Sequence, residues 1–112
     1  MKKIIVLDII GTPNAIISAF GQQVFDQVKP EIKAGNKVVI SFAGLKNCNS
    51  SFLRASVGEL YIAFGEELKE KLILEDIKNE IWKNRIEETI LLATNPEEAK
   101  RYQEAILYAL EQ

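Results

Sequence analysis

The sequence has no histidine and only one cysteine, Cys48, among its 112 residues. Without histidine the chain lacks the commonest general base and a frequent metal ligand. A Ser–His or Cys–His nucleophile is therefore excluded. One cysteine cannot form an internal disulfide, which fits a reducing compartment, so we expect a cytoplasmic protein. We interpret Cys48 as a small, half-buried loop residue rather than a reactive thiol.

Other signs of particular functions are also missing from the sequence. It has no glycine-rich phosphate loop of P-loop or Rossmann spacing, no cluster of metal ligands and no stretch long enough to span a membrane. Its 14 basic and 16 acidic residues are intermixed and leave a net charge of −2, so no basic face for nucleic acid is indicated. We expect no catalytic residues, cofactor, metal, membrane contact or nucleic-acid partner.

The composition that is present is that of an ordinary globular protein. The chain is 47% hydrophobic and 27% charged, and its length predicts one domain over residues 1–112. Asp8 interrupts the apolar N-terminal run, which favours a strand over a signal peptide.

Hydrophobic spacing predicts an alternation of strands and helices along the chain. We predict strands at residues 3–10, 37–42 and 71–76, each an apolar or β-branched run. The first helix is predicted to begin after Asn14 as N-cap, to break or bend near Lys29–Pro30 and to stop at Gly35–Asn36. Its predicted apolar face consists of Ile17, Phe20, Val24 and Val28.

Two further helices are predicted towards the C-terminus. The third helix of the chain has an apolar face of Trp82, Ile86, Ile90 and Ala93. The sequence Asn95-Pro96-Glu97-Glu98 predicts the start of a fourth, with Ala99, Tyr102, Ile106 and Leu110 on its apolar face. The order β-α-β-α-β-α-α indicates an α/β fold with a small, mostly parallel sheet.

The most informative segment runs from Lys37 to Phe64. A buried strand leads through a polar turn to a helix predicted from about Ser50 to Phe64, so Asn49, Ser50 and Ser51 lie at a helix N-terminus. Helix capping alone explains such residues. The other interpretation is a partner-binding site, in which phosphorylation of Ser50 or Ser51 adds negative charge at the helix end.

The residues Val38-Val39-Ile40-Ser41-Phe42-Ala43-Gly44-Leu45, followed by Asn49-Ser50-Ser51-Phe52, carry a resemblance to a known family. This pattern resembles the STAS-like domains, bacterial relatives of the anti-sigma-factor antagonists. The likeness covers about residues 4–76 and includes the order of the elements. Phe42, Gly44, Ser51 and Phe52 match the pattern of the STAS-like branch.

The resemblance implies a role in protein–protein regulation. Ser50 stands where the antagonists carry the serine that a partner kinase phosphorylates. Asn49 replaces their preceding Asp, Phe52 their following Gly, and Ser41 their strand Asp. The family implies a protein partner of the GHKL-type ATPase or anti-sigma kinase class.

We therefore predict a non-catalytic regulatory domain that docks its second helix and the preceding loop on a partner. The predicted partner-binding residues are Asn47, Asn49, Ser50, Ser51 and Arg54. One alternative is a nucleotide or another anion bound at the same helix N-terminus. Another is self-association through a sheet edge or through the last two helices.

Overall fold

The computed structural model describes residues 1–95 together with Glu97 and Arg101. Its elements, in chain order, are β1 (Lys2–Ile5), α1 (Val6–Ile10), β2 (Asn14–Ala15), α2 (Ser18–Lys33), β3 (Val38–Ser41), β4 (Asn47–Cys48), α3 (Ser50–Leu53), a π-helical turn (Arg54–Gly58), α4 (Glu59–Phe64), a 3-10 helix (Gly65–Glu70), β5 (Leu72–Glu75) and α5 (Glu80–Thr94). The predicted fourth helix, from Asn95 onward, lies largely outside the described residues.

The central sheet is parallel and has the strand order β1-β3-β5. All four residues of β3 are buried, as its continuous apolar run predicts for a middle strand. Side chains alternate along the strands, and Ile4, Val38, Ile40 and Leu72 join the hydrophobic core. The predicted α/β class with a small, mostly parallel sheet is confirmed.

The prediction of one strand over residues 3–10 was wrong beyond Ile5. Residues Val6–Ile10 form the short helix α1, which ends where Gly11 adopts a left-handed φ of 73°. Its helical turn buries Val6 completely and packs three other apolar side chains against the core, while Asp8 faces solvent. A strand would have sent alternate apolar residues to opposite faces.

Two predictions about α2 were also wrong. Asn14 does not cap the helix, because it lies in β2 and its Oδ1 accepts a hydrogen bond from Asn47 Nδ2 at 2.6 Å; α2 begins at Ser18. Pro30 does not break the helix, which continues to Lys33 and stops before Gly35, where φ is 88°, as the predicted stop signal requires. Pro30 has no N–H to donate, but its carbonyl oxygen accepts the Ala34 N–H at 3.0 Å, so helical hydrogen bonding continues past it.

The predicted second helix is present as the continuous helical run α3, π-helical turn and α4. Helical spacing in the sequence predicts one apolar face made of Leu53, Val57, Leu60, Tyr61 and Phe64. The first four are buried, and Phe64 is partly buried against the core. Gly21 of α2 crosses this run so closely that a Cβ at Gly21 would lie 2.5 Å from the Phe52 carbonyl oxygen. The absence of a side chain at Gly21 therefore allows α2 to pack this close to the start of α3.

The 3-10 helix and α5 add buried side chains to the hydrophobic core. The charged run of residues 66–71, whose composition is typical of a solvated connection, belongs mostly to the 3-10 helix, where Leu68 is fully buried. Helix α5 has Asn79 as its N-cap. It buries Trp82 and Ile86 of its predicted apolar face, and Ile90 and Ala93 are partly buried against the core. In residues 1–95, Glu97 and Arg101, no helix has both the length and the apolar character needed to cross a membrane.

Candidate functional site

The segment Asn47–Arg54, which we call the tip, contains all the predicted site residues. It consists of β4, the N-cap Asn49 and the start of the helical run. Asn47, Ser50 and Arg54 are exposed, and Asn49 and Ser51 are partly exposed. Within the described part of the chain, the hydroxyls of Ser50 and Ser51 have no hydrogen-bond partner. The tip therefore presents two serines to solvent at a helix N-terminus.

Asn49 fixes the backbone of the tip through both ends of its amide. Its Oδ1 accepts a hydrogen bond from the Phe52 N–H at 3.1 Å, which caps the helix. Its Nδ2 donates to the Ile16 carbonyl oxygen at 2.8 Å. The Asn49 N–H also donates to the Ala15 carbonyl oxygen at 3.2 Å. Asn49, rather than either serine, is thus the residue that caps the helix. The hydroxyls of Ser50 and Ser51 are therefore free to bind another molecule.

The strand pair β2–β4 joins the tip to the segment before α2. Asn14 and Ala15 pair in parallel with Asn47 and Cys48. The Lys46 N–H donates to the Pro13 carbonyl oxygen at 2.8 Å, which extends this pairing by one residue. The two segments are far apart in the sequence, so their pairing was not visible in the local patterns.

Cys48 is buried rather than half-buried, since only 2% of it is exposed. Burial raises the pKa of its thiol from 9.0 to about 12, although the nearby Arg85 guanidinium acts in the opposite direction. Arg85 Nη1 donates to the Cys48 carbonyl oxygen at 2.8 Å, so a side chain of α5 holds the backbone of the tip in place. A thiol in this environment is protonated at neutral pH and packs as a small apolar group.

A surface groove runs beside the tip between α2 and the helical run. Its volume is about 350 Å³, and it is lined by Ser18, Ser51, Arg54, Ala55 and Glu59. The groove thus combines hydroxyls, one cation and one carboxylate. Ala55, one of its lining residues, also lies close to Gly21 of α2, where a Cβ would be 2.7 Å from Ala55 Cβ.

The wall of the groove includes the π-helical turn Arg54–Gly58. Its buried Ser56 hydroxyl donates to the Phe52 carbonyl oxygen at 2.8 Å, so this carbonyl has a partner within the altered helical pattern. Turns of this kind often occur at functional sites. Here the turn carries Arg54 at its first position, and sequence periodicity did not predict it.

Ser41 also has a role that its position alone did not reveal. It is buried at the end of β3, and its hydroxyl donates to Asp76 Oδ2 at 2.6 Å while accepting the Ala43 N–H at 3.2 Å. Asp76 has a left-handed φ of 60°, which is uncommon outside glycine. The carboxylate at the end of β3 thus comes from Asp76, the residue that follows the neighbouring strand β5, rather than from position 41.

One exposed residue next to the tip, Ile17, was assigned to the wrong environment. It was predicted on the apolar face of the first helix, yet it is 46% exposed, and its neighbour Ile16 is 45% exposed. Ile17 precedes the helix in extended conformation, with φ −123°. The prediction failed because α2 begins four residues later than Asn14, and the sequence offers no local signal for that shift.

The architecture defines the class of protein as a small parallel α/β domain whose middle strand leads to a serine-bearing helix start. The family model described as a STAS-like domain of unknown function matches residues 21–82. Because the match covers more than half of the chain, the protein belongs to this family, and the resemblance is confirmed. A search of curated proteins and a search of solved structures each found no match.

Proposed function

We propose that the protein is a non-catalytic regulatory domain that binds a protein partner through the tip. The observation that supports this most is the contrast between the fixed backbone of the tip and its free hydroxyls. Asn49 holds the backbone through Phe52 and Ile16, while Ser50 is exposed and unpartnered among the described residues. A preorganised surface loses little entropy on binding.

Ser50 is the better candidate for a regulatory phosphorylation. It is exposed, whereas Ser51 is partly buried at the groove wall. A phosphate at the first residue of a helix is compatible with the helix dipole. It also adds close to two negative charges to the tip, which would repel an acidic partner. The resemblance to the anti-sigma-factor antagonists favours a GHKL-type ATPase or an anti-sigma kinase as the partner.

The test compares Ser50→Asp with Ser50→Ala. The full-length chain serves as bait in a native lysate, the captured ATPase or kinase is purified, and its affinity is measured by calorimetry. We expect Ser50→Asp to weaken the complex about tenfold or more, and Ser50→Ala to change it about twofold or less. Equal affinities for the two variants would remove Ser50 from the mechanism.

The groove is the one observation that favours the alternative, a small anion held at the same place. Ser18, Ser51 and Arg54 offer donors there, but the Glu59 carboxylate also lines the groove and opposes an anion. Thermal-shift measurements with nucleotides and inorganic phosphate separate the two functions, because a ligand of the folded state raises the unfolding midpoint. A midpoint that rises with phosphate concentration and loses this response in Arg54→Gln would favour the anion.

A further inference from the structure

The exposed side chains of Ile16 and Ile17 extend the tip into a larger surface. The two are neighbours in the chain, and the backbone that carries them is anchored. The Ile16 carbonyl oxygen accepts from Asn49 Nδ2 at 2.8 Å, and the Ile17 carbonyl oxygen accepts from the Phe20 N–H at 3.2 Å. Their exposure thus belongs to a fixed part of the fold, not to a loose loop.

These isoleucines continue directly into the groove. Ser18 follows Ile17 and lines the groove together with Ser51 and Arg54. We call Ile16, Ile17, Ser18, Ser51 and Arg54 the docking surface. Single exposed apolar residues are common on proteins, but binding interfaces combine apolar contacts with a polar rim, and the two isoleucines and the polar groove supply both.

The charge around the docking surface differs from that of the chain as a whole. The net charge of the protein is −2, yet three exposed cations adjoin the tip: Lys46 precedes it, Arg54 ends it, and Arg85 donates a hydrogen bond to its Cys48 carbonyl oxygen, while Glu59 adds one carboxylate to the groove wall. Neither Lys46 nor Arg54 forms an ion pair within the described part of the chain. A partner with carboxylates would therefore find complementary charge here.

We propose that the docking surface binds an acidic segment of a protein partner, whose apolar side chain packs on Ile16 and Ile17 and whose carboxylate pairs with Arg54. This inference rests on the proposed function and names the chemistry of the partner.

The experiment uses the uniformly ¹⁵N-labelled full chain and a synthetic peptide of about 12 residues built from Glu-Glu-Leu-Leu units. We expect the peptide to shift the amide signals of Ile16, Ile17, Ser51 and Arg54, while those of Leu72–Glu75 in β5 stay in place. Peptides with Lys for Glu, or with Ser for Leu, should bind about tenfold more weakly.

Variants of the protein make the test specific. Ile17→Ser and Arg54→Glu should each weaken the Glu-Leu peptide about fivefold or more. Ile73→Ser is the matched control, because Ile73 is similarly exposed, at 41%, but lies on β5. This control should bind like the wild type.

Several results would overturn the inference. They are the absence of shifts at millimolar peptide, equal binding of the Lys-Leu peptide, or equal weakening by Ile73→Ser. Dimerisation in light scattering that Ile17→Ser abolishes would assign the surface to a second copy instead. If the purified partner is sensitive to Ser50→Asp but not to Ile17→Ser, this inference fails while the proposed function stands.

Discussion

Replacing Gly21 by alanine tests the helix crossing that positions the tip. The added Cβ would lie 2.5 Å from the Phe52 carbonyl oxygen and 2.7 Å from Ala55 Cβ. Carbon–oxygen and carbon–carbon contacts normally settle near 3.5 Å or more, so the two helices must separate by up to about 1 Å. Overpacking of this kind costs about 1–3 kcal/mol. The better helix propensity of alanine offsets up to about 1 kcal/mol of this cost.

We therefore expect Gly21→Ala to lower the free energy of unfolding by about 1–2 kcal/mol in urea titrations followed by circular dichroism. Gly58→Ala is the matched control, since its Cβ would lie 3.3 Å from Thr89 Cγ2, a side-chain atom that can shift slightly, and at ordinary contact distances of 3.6 Å and 3.9 Å from the Leu53 carbonyl oxygen and Arg54 Cβ. That control should stay within about 1 kcal/mol of the wild type. A Gly21→Ala variant as stable as the wild type would refute the close crossing.

Two further predictions concern residues of the tip. Asn49→Ala should lower the free energy of unfolding by about 1–2 kcal/mol in urea titrations, because both amide hydrogen bonds are lost. Asn49→Asp keeps the acceptor for the Phe52 N–H, so its free energy of unfolding should fall less. An alanine variant as stable as the wild type would contradict the role of Asn49 in holding the tip. The Cys48 thiol should react with iodoacetamide at pH 8 about a hundredfold or more slowly in the folded chain than in urea, because it is buried and its pKa is raised to about 12. That pKa lies above the value of the thiol in the unfolded chain, so the stability contributed by the protonated thiol is complete below pH 9 and is lost as the pH rises towards 12. The Cys48→Ala variant should lack this loss in urea titrations. An equal loss of stability in that variant would assign the effect to other groups.

The parts of the fold that could be predicted carry strong local patterns. The continuous run Val38–Ser41 indicated a buried strand, and regular apolar spacing indicated the helical run that buries Leu53, Val57 and Leu60. Both signals depend only on residues within a few positions of each other. The candidate site was located for the same reason, because a polar turn between these two elements is visible in the sequence.

The parts that could not be predicted depend on residues distant in the chain. The Asn49 amide bonds to Ile16, and the Ser41 hydroxyl bonds to Asp76. These contacts also give a physical reason for two departures from the antagonist pattern. A carboxylate at position 49 would face the Ile16 carbonyl oxygen without a proton to donate. A carboxylate at position 41 would lie against that of Asp76.

The N-terminal errors have a different cause. The run Val6–Ile10 is rich in branched residues that favour strands, but packing of four apolar side chains against the core selects a helix. The pairing of Asn14 with Asn47 then delays α2 until Ser18. As a consequence, Ile16 and Ile17 remain exposed beside the tip, which local helical spacing could not reveal.

The most direct test of the tip as a partner surface is amide chemical-shift mapping of the ¹⁵N-labelled chain with the purified native partner. We predict that the largest changes fall within residues 47–54, and that the signals of Leu72–Glu75 in β5 remain unchanged. Changes centred on β5, with the signals of Asn47, Ser50 and Arg54 unmoved, would contradict the account.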